Sequence, residues 1–209
     1  MREFQLLAVG TSNLRQLQLD LDISNLKFQQ ILFSSYINPT VLGDKLSNMG
    51  KSFDMGVIHT GNYLYPSRKH QNHNCLTDWT IEECVKHIQA VIDVLLTHTK
   101  LVIVVEPHPR CIWGPPTCKL FNTLTKNRFF IMSKEILNRT EDISKNVKFL
   151  AFKVLISRYF RDCPQQHIAV EFSRRFLTQD GVHLTAQGSD IIRSNLVNHL
   201  LRIGTKHDP

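Results

Sequence analysis

The sequence predicts an α/β protein: one three-layer α/β/α domain with a central parallel sheet. Two observations carry this. Short apolar runs alternate with amphipathic helical stretches along the chain, and such alternation sets helices on both faces of a parallel sheet. Residues 101–105, Leu-Val-Ile-Val-Val, are apolar at every position, as suits a strand covered from both sides. With 209 residues, 42% of them hydrophobic, the chain can build a sizeable core. No repeat, low-complexity tract or linker divides it, so residues 1–209 are read as a single domain.

The elements follow in order. Residues 4–9 form an apolar run closed by Gly10, a first buried strand. Leu14, Leu17 and Leu21 then recur at helical offsets, so residues 12–21 read as a helix. Residues 28–33 are a second strand, followed by a loop containing Asn38-Pro39 and a short helical stretch past Gly43. Residues 53–59 are a third strand running into a sharp turn at Thr60-Gly61-Asn62. The clearest helix spans residues 81–96. Ile81, Val85, Ile88, Ile92 and Leu95 keep one face apolar, and Thr80 with Glu83 has the spacing of a capping box. The strand at 101–105 follows, stopped by Pro107 and Pro109, which lack the donor a ladder needs. Residues 110–119 read as a surface loop, 120–137 as a helix and 147–155 as a fifth strand. Residues 158–179 show no defined element. A final helix carries Ile191, Leu196, Val197, Leu200 and Leu201 on its apolar side, with Thr185 as its cap.

Charge and cysteine content narrow the setting. A net charge of +7 favours anionic partners, but the basic residues are scattered rather than blocked. Five cysteines leave at least one unpaired in a monomer and suit a reducing, intracellular compartment. Cys111 and Cys118 could still pair across the Gly-Pro-Pro loop. No apolar stretch approaches the roughly 20 residues of a membrane span.

In a parallel α/β sheet, sites gather beyond the C-terminal ends of the strands. Three segments should meet there: Gly10-Thr11-Ser12-Asn13, Thr60-Gly61-Asn62 and Asp180-Gly181-Val182-His183. Ser12 opens a helix directly after a strand, where its hydroxyl can project into a cleft. A serine needs a base to take its proton, and histidine oriented by a carboxylate suits that work. Asn62 has an amide that could donate to an oxyanion. Each segment also has a plain structural reading. Ser12 or a neighbour caps a helix, Asp180 caps a turn while His183 packs or faces solvent, and Gly61-Asn62 is a turn.

Together the three segments resemble the SGNH hydrolase family, also called the GDSL-like lipase/acylhydrolase family. Gly10-Thr11-Ser12 resembles its serine block, Asn62 its oxyanion asparagine, Gly43 its oxyanion glycine, and Asp180-Gly181-Val182-His183 its Asp-x-x-His block. The resemblance implies an acylhydrolase. Ser12 would be the nucleophile, His183 the base and Asp180 its orienting carboxylate, with an oxyanion site at Ser12, Gly43 and Asn62. It implies no metal or organic cofactor. Its expected substrate is a carboxylic ester, such as an acetyl ester, on a small molecule, lipid or glycan. Two departures stand out: Thr11 replaces the family's aspartate, and Gly61-Asn62-Tyr63 departs from Gly-x-Asn-Asp.

Two rival readings remain. His70, His73, Cys75, Cys84 and His87 are residue types that bind zinc, without the spacing of a strong motif. SGNH-like modules also accompany RNA-binding regions in retrotransposon proteins. A catalytically weak module of retrotransposon or viral origin would bind RNA or a protein partner instead. Arg158, Arg161, Arg174 and Arg175 are its candidate phosphate-facing residues. Trp113 is a candidate substrate-lining side chain.

Overall fold

The apolar runs become strands of one sheet in the computed structural model, which describes residues 4–10, 12–17, 26–33, 37–64, 79–111, 115–139 and 141–207. The strands are β1 (Phe4–Gly10), β2 (Leu26–Phe33), β3 (Phe53–His59), β4 (Thr99–Val105) and β5 (Val147–Leu150). All pair in parallel, in the order β2-β1-β3-β4-β5. The chain begins in the interior of the sheet and builds outward first to one side, then to the other. The reversal lies between β1 and β3, whose C-terminal residues are Gly10 and His59. Ligand sites in doubly wound sheets lie outside such a switch point.

Side chains alternate across the sheet with a period of two, and this divides the interior into two apolar layers. Leu6, Ala8, Met55, Val57, Leu101, Ile103 and Val105 share one layer with residues of α1 (Ser12–Gln16), α6 (Phe152–Ile156), α7 (Ile168–Phe176) and α8 (Ala186–His207). Leu7, Val9, Ile58, Val102 and Val104 face the other, against α2 (Pro39–Met49), α3 (Ile81–Leu96) and α4 (Pro115–Leu137). Ile103 and Val104, adjacent in sequence, are both fully buried because each layer covers one face of β4. Burying one such side chain is worth about 1.5–3 kcal/mol.

Local chemistry fixes the helix starts. At α3 the Glu83 amide donates to Thr80 Oγ1 at 3.2 Å and the Thr80 amide donates to Glu83 Oε2 at 2.6 Å, closing the expected capping box. Asn38 caps α2 by accepting from the Val41 amide at 3.2 Å. Thr185 accepts from the Gly188 amide at 3.1 Å in the first turn of α8. Among the described residues, no helix is long and apolar enough to cross a membrane.

Several boundaries differ from the sequence reading. The fifth strand stops at Leu150, because the Phe152 amide donates to the buried Glu106 carboxylate (2.8 Å) and the chain turns into α6. Residues 115–119 belong to α4 rather than to a loop, with Pro115 and Pro116 in its first turn, where the missing N–H is not needed. Residues 158–179 contain α7, and a short helix α5 (Glu141–Asn146) precedes β5. Cys111 and Cys118 are free thiols. The Cys118 thiol donates to the Arg110 carbonyl at 2.9 Å, and burial with the neighbouring Cys111 pushes its pKa up to about 12. Of the first expected helix, Ser12–Gln16 is helical; residues 18–21 lie outside the described residues, as do Thr11, residues 66–78 and Trp113.

Candidate active site

The C-terminal ends of β1 and β3 lie side by side, Val9 opposite Ile58, at the switch point of the sheet. β1 closes at Gly10, and α1 starts two residues later at Ser12. A side chain at position 10 would sit 2.9 Å from His59 Cβ and 2.9 Å from Leu14 Cδ2. Glycine there lets β1 lie close to the end of β3 while α1 folds back over it. Beyond β3, the Thr60 hydroxyl donates to the Val105 carbonyl at 2.9 Å, tying this turn to β4. Gly61 then takes a positive φ of 50° and opens a 3-10 turn, Gly61–Leu64, whose second residue is Asn62.

The third segment is a tight loop between α7 and α8. Leu177 and Leu184 form an antiparallel bridge at its neck. The Thr178 amide donates to the His183 carbonyl at 2.8 Å, and Gly181 turns the chain at φ 67°. Asp180 organises the interior of the loop. Its Oδ1 accepts from the Val182 amide (2.8 Å), the His183 amide (2.9 Å) and the Thr178 hydroxyl (2.7 Å). Its Oδ2 meets His183 Nδ1 at 2.5 Å. Burial alone would raise the Asp180 pKa, but these donors from His183, Thr178 and Val182 outweigh it and hold the carboxyl below the usual carboxylate range. With Nδ1–H donating to the carboxylate, a neutral His183 presents Nε2 as its free base. Both side chains reach solvent, at 40% exposure for His183 and 48% for Asp180.

One hydrogen bond joins this loop to the start of the chain: the Leu184 amide donates to Gln16 Oε1 at 3.1 Å. Gln16 lies four residues after Ser12 on α1, and positions four apart share a helix face. Residue 12 therefore stands one helical turn from a side chain that touches the neighbour of His183.

The floor beneath is polar and buried. His59, His108 and Arg110 are each at most 5% exposed. Burial first, then the Arg110 charge, lowers the His59 pKa to about 4. Burial and the His59 charge lower that of His108 to about 3. Both are neutral near pH 7. His108 Nε2 lies 2.9 Å from the Val182 carbonyl, so that nitrogen carries the proton. Beside the two rings lies a mainly apolar cavity of about 10 Å³, lined by Leu17, Phe152, Leu184 and Ile192 together with Asn13, His59, Glu106 and His108, too small for an acyl chain.

The other expected residues fall elsewhere. Gly43 lies inside α2, packed towards Val94 on α3 rather than in a loop after β2. Its amide is engaged by helix geometry, and an engaged donor cannot serve an oxyanion. Cys84 and His87 sit on the buried face of α3, with Arg128 Nη2 3.3 Å from Cys84 Sγ and the Trp79 ring edge-on to His87. His70, His73 and Cys75 lie outside the described residues. Among those described, no three metal-ligand side chains cluster. Arg174 and Arg175 pair with Glu171 at 3.3 and 3.6 Å, and Arg175 lies over the Phe160 ring, which brings α7 beside Arg158 and Arg161. Gln16 and His108 were not singled out in the sequence. A polar residue between Pro107 and Pro109, just past a buried strand, was the available signal for the second.

No protein-family profile and no curated protein matches the sequence. Solved structures do match the fold. A Streptococcus pneumonia protein designated a platelet activating factor aligns with 95% of this chain and 84% of its own, at 16% identity and a TM-score of 0.63. A catalytic serine-to-alanine mutant of Axe2, an acetylxylan esterase from Geobacillus stearothermophilus, aligns over 96% and 95%, at 10% identity and a TM-score of 0.61. A Bacteroides ovatus protein designated a GDSL-like lipase aligns over 97% of this chain and 54% of its own, at 12% identity and a TM-score of 0.59. The chain has the SGNH-hydrolase fold. Other catalytic mutants of Axe2 replace an aspartate and a histidine three positions apart.

Proposed function

We propose that this chain is a serine ester hydrolase that cleaves a carboxylic ester, such as an acetyl ester on a small molecule, lipid or glycan, through an acyl-enzyme. The observation that carries the reading is the Leu184–Gln16 hydrogen bond, which draws the Asp180–His183 loop onto the helix opened by Ser12. The acetylxylan esterase activity named for Axe2 supports the acetyl assignment by likeness of fold.

In the proposed mechanism, His183 Nε2 takes the Ser12 proton as the hydroxyl oxygen attacks the ester carbonyl. Asp180 keeps the ring in the required tautomer and balances its positive charge. The Ser12 amide, in the first turn of α1 and without an intrahelical acceptor, donates to the oxyanion. Asn62 supplies the second donor. Collapse of the tetrahedral intermediate expels the alcohol, protonated by His183, and leaves Ser12 acylated. Water activated by His183 then releases the acid and restores the serine. Gly43 has no part in this scheme, for the reason given above.

The test is hydrolysis of p-nitrophenyl esters of increasing acyl length by the purified chain and by S12A. The expected result is turnover fastest with acetate and reduced about 10⁴-fold or more by S12A, with unchanged circular dichroism. Equal rates for the two proteins would refute the assignment. Absent turnover in the wild type, together with tight salt-dependent RNA binding, would favour the non-catalytic module.

A further inference from the structure

We infer that His108 is a positioning residue for the candidate triad, holding the Asp180–His183 loop in register through a hydrogen bond from its Nε2–H to the Val182 carbonyl. This rests on the hydrolase reading for its kinetic consequence, but not for its geometry.

The loop that carries Asp180 and His183 is short and exposed at both functional side chains. Its internal bonds fix its shape, yet they do not fix where it sits against the sheet. Contacts from outside must do that. The segment just beyond β4 supplies two of them at consecutive carbonyls. The Cys111 amide donates to the Gly181 carbonyl at 2.9 Å, and His108 Nε2 donates to the Val182 carbonyl at 2.9 Å. The Leu184 amide, two residues on, is held by Gln16 of α1. His183 is thus flanked by a carbonyl gripped from the segment beyond β4 and an amide gripped from α1.

His108 suits this work better than a flexible donor would. Its ring is 2% exposed and lies beside the rings of Phe172 and His59, at centroid distances of 6.4 and 6.2 Å, so few orientations are open to it. Burial also keeps it uncharged. A cation at this position would oppose the imidazolium that His183 becomes in the proposed reaction, whereas a neutral imidazole grips the loop without that penalty. Displacing a catalytic group by about 1 Å can lower a rate about 100-fold, so a remote hydrogen bond can matter for turnover while contributing little to substrate affinity.

The test compares two amide replacements. Glutamine places its side-chain nitrogen near the position of Nε2, whereas asparagine is one methylene shorter and falls short of the Val182 carbonyl. H108N is expected to lower kcat on p-nitrophenyl acetate about 10- to 100-fold with KM within about threefold. H108Q is expected to stay within about threefold of the wild type on both. The low-field proton resonance of the His183–Asp180 hydrogen bond should persist in H108Q and broaden or vanish in H108N. Equal behaviour of the two variants, or a loss in H108N confined to thermal stability, would overturn the inference. A variant-free check is the imidazole nitrogen spectrum of the wild type: His108 must be the Nε2–H tautomer, and finding the proton on Nδ1 ends the proposal. Because the tautomer and the low-field proton are read without substrate, a wild type lacking esterase activity would sink the proposed function and leave this inference standing or falling on its own.

Discussion

Gln16 accepts a hydrogen bond from the Leu184 amide across 168 positions of sequence. That bond links the first helix to the loop that carries His183. Replacing Gln16 by leucine keeps the bulk and removes the acceptor, leaving a partly buried amide unsatisfied. Q16L is expected to lose about 1–2 kcal/mol of stability in urea unfolding and about tenfold or more in kcat on p-nitrophenyl acetate. A stability loss with full kcat would mean that the contact serves folding alone.

Asp180 invites a sharper substitution. Asparagine retains the Oδ1 acceptor for the Val182 and His183 amides, so the loop keeps its shape. It puts an amide N–H where Oδ2 now meets His183 Nδ1, which forces the imidazole into the wrong tautomer. D180N should therefore fold with a melting temperature within a few degrees of the wild type and lose about 10²- to 10⁴-fold in kcat. Steady-state kinetics beside calorimetry separate the two effects.

Three buried histidines make stability depend on pH. His59 and His87 have pKa values lowered to about 4 and His108 to about 3, in each case chiefly by burial. The unfolded chain binds these protons near pH 6.5 and the folded chain does not. Stability is therefore fully present above about pH 6.5 and falls as the pH drops toward 4, on the order of 1 kcal/mol per pH unit for each histidine. Urea midpoints between pH 7.5 and 4.5 check this, and H108Q should show a shallower slope. A flat profile would contradict the burial of these rings.

Gly188 is fixed by a different constraint. An added Cβ would lie 2.6 Å from the Phe176 carbonyl oxygen, a backbone atom that cannot step aside cheaply. The same carbonyl accepts from the Thr185 amide at 2.8 Å, so crowding it disturbs the neck of the Asp180 loop. G188A is expected to destabilise the fold by about 1–3 kcal/mol and to lower the melting temperature accordingly.

What could be read in the sequence was what is locally encoded. α3 declared itself through Thr80, Glu83 and an apolar stripe, and β4 through unbroken apolarity, because those patterns answer to helix and strand periodicity alone. The Asp180–His183 pairing spans three positions, so a short motif contained it. The end of β5 was hidden because it depends on Glu106, 46 positions from Phe152. α7 was obscured because it is only nine residues long and its apolar stripe, Ile168, Phe172 and Phe176, is interrupted by Glu171, Arg174 and Arg175. Gly43 looked like a loop glycine, yet Asn38 and Pro39 start a helix that absorbs it. The grips of Gln16 and His108 on the loop have no local pattern and emerge only when the sheet brings β1, β4 and the last loop to one edge.

The central claim is that the Ser12 hydroxyl is activated by His183. Treating the purified chain with a fluorophosphonate and identifying the modified residue by peptide mass spectrometry tests it most directly. The account predicts stoichiometric modification of Ser12, lost in H183A. An unmodified Ser12 in folded protein, or labelling at another residue that persists in S12A, would contradict it.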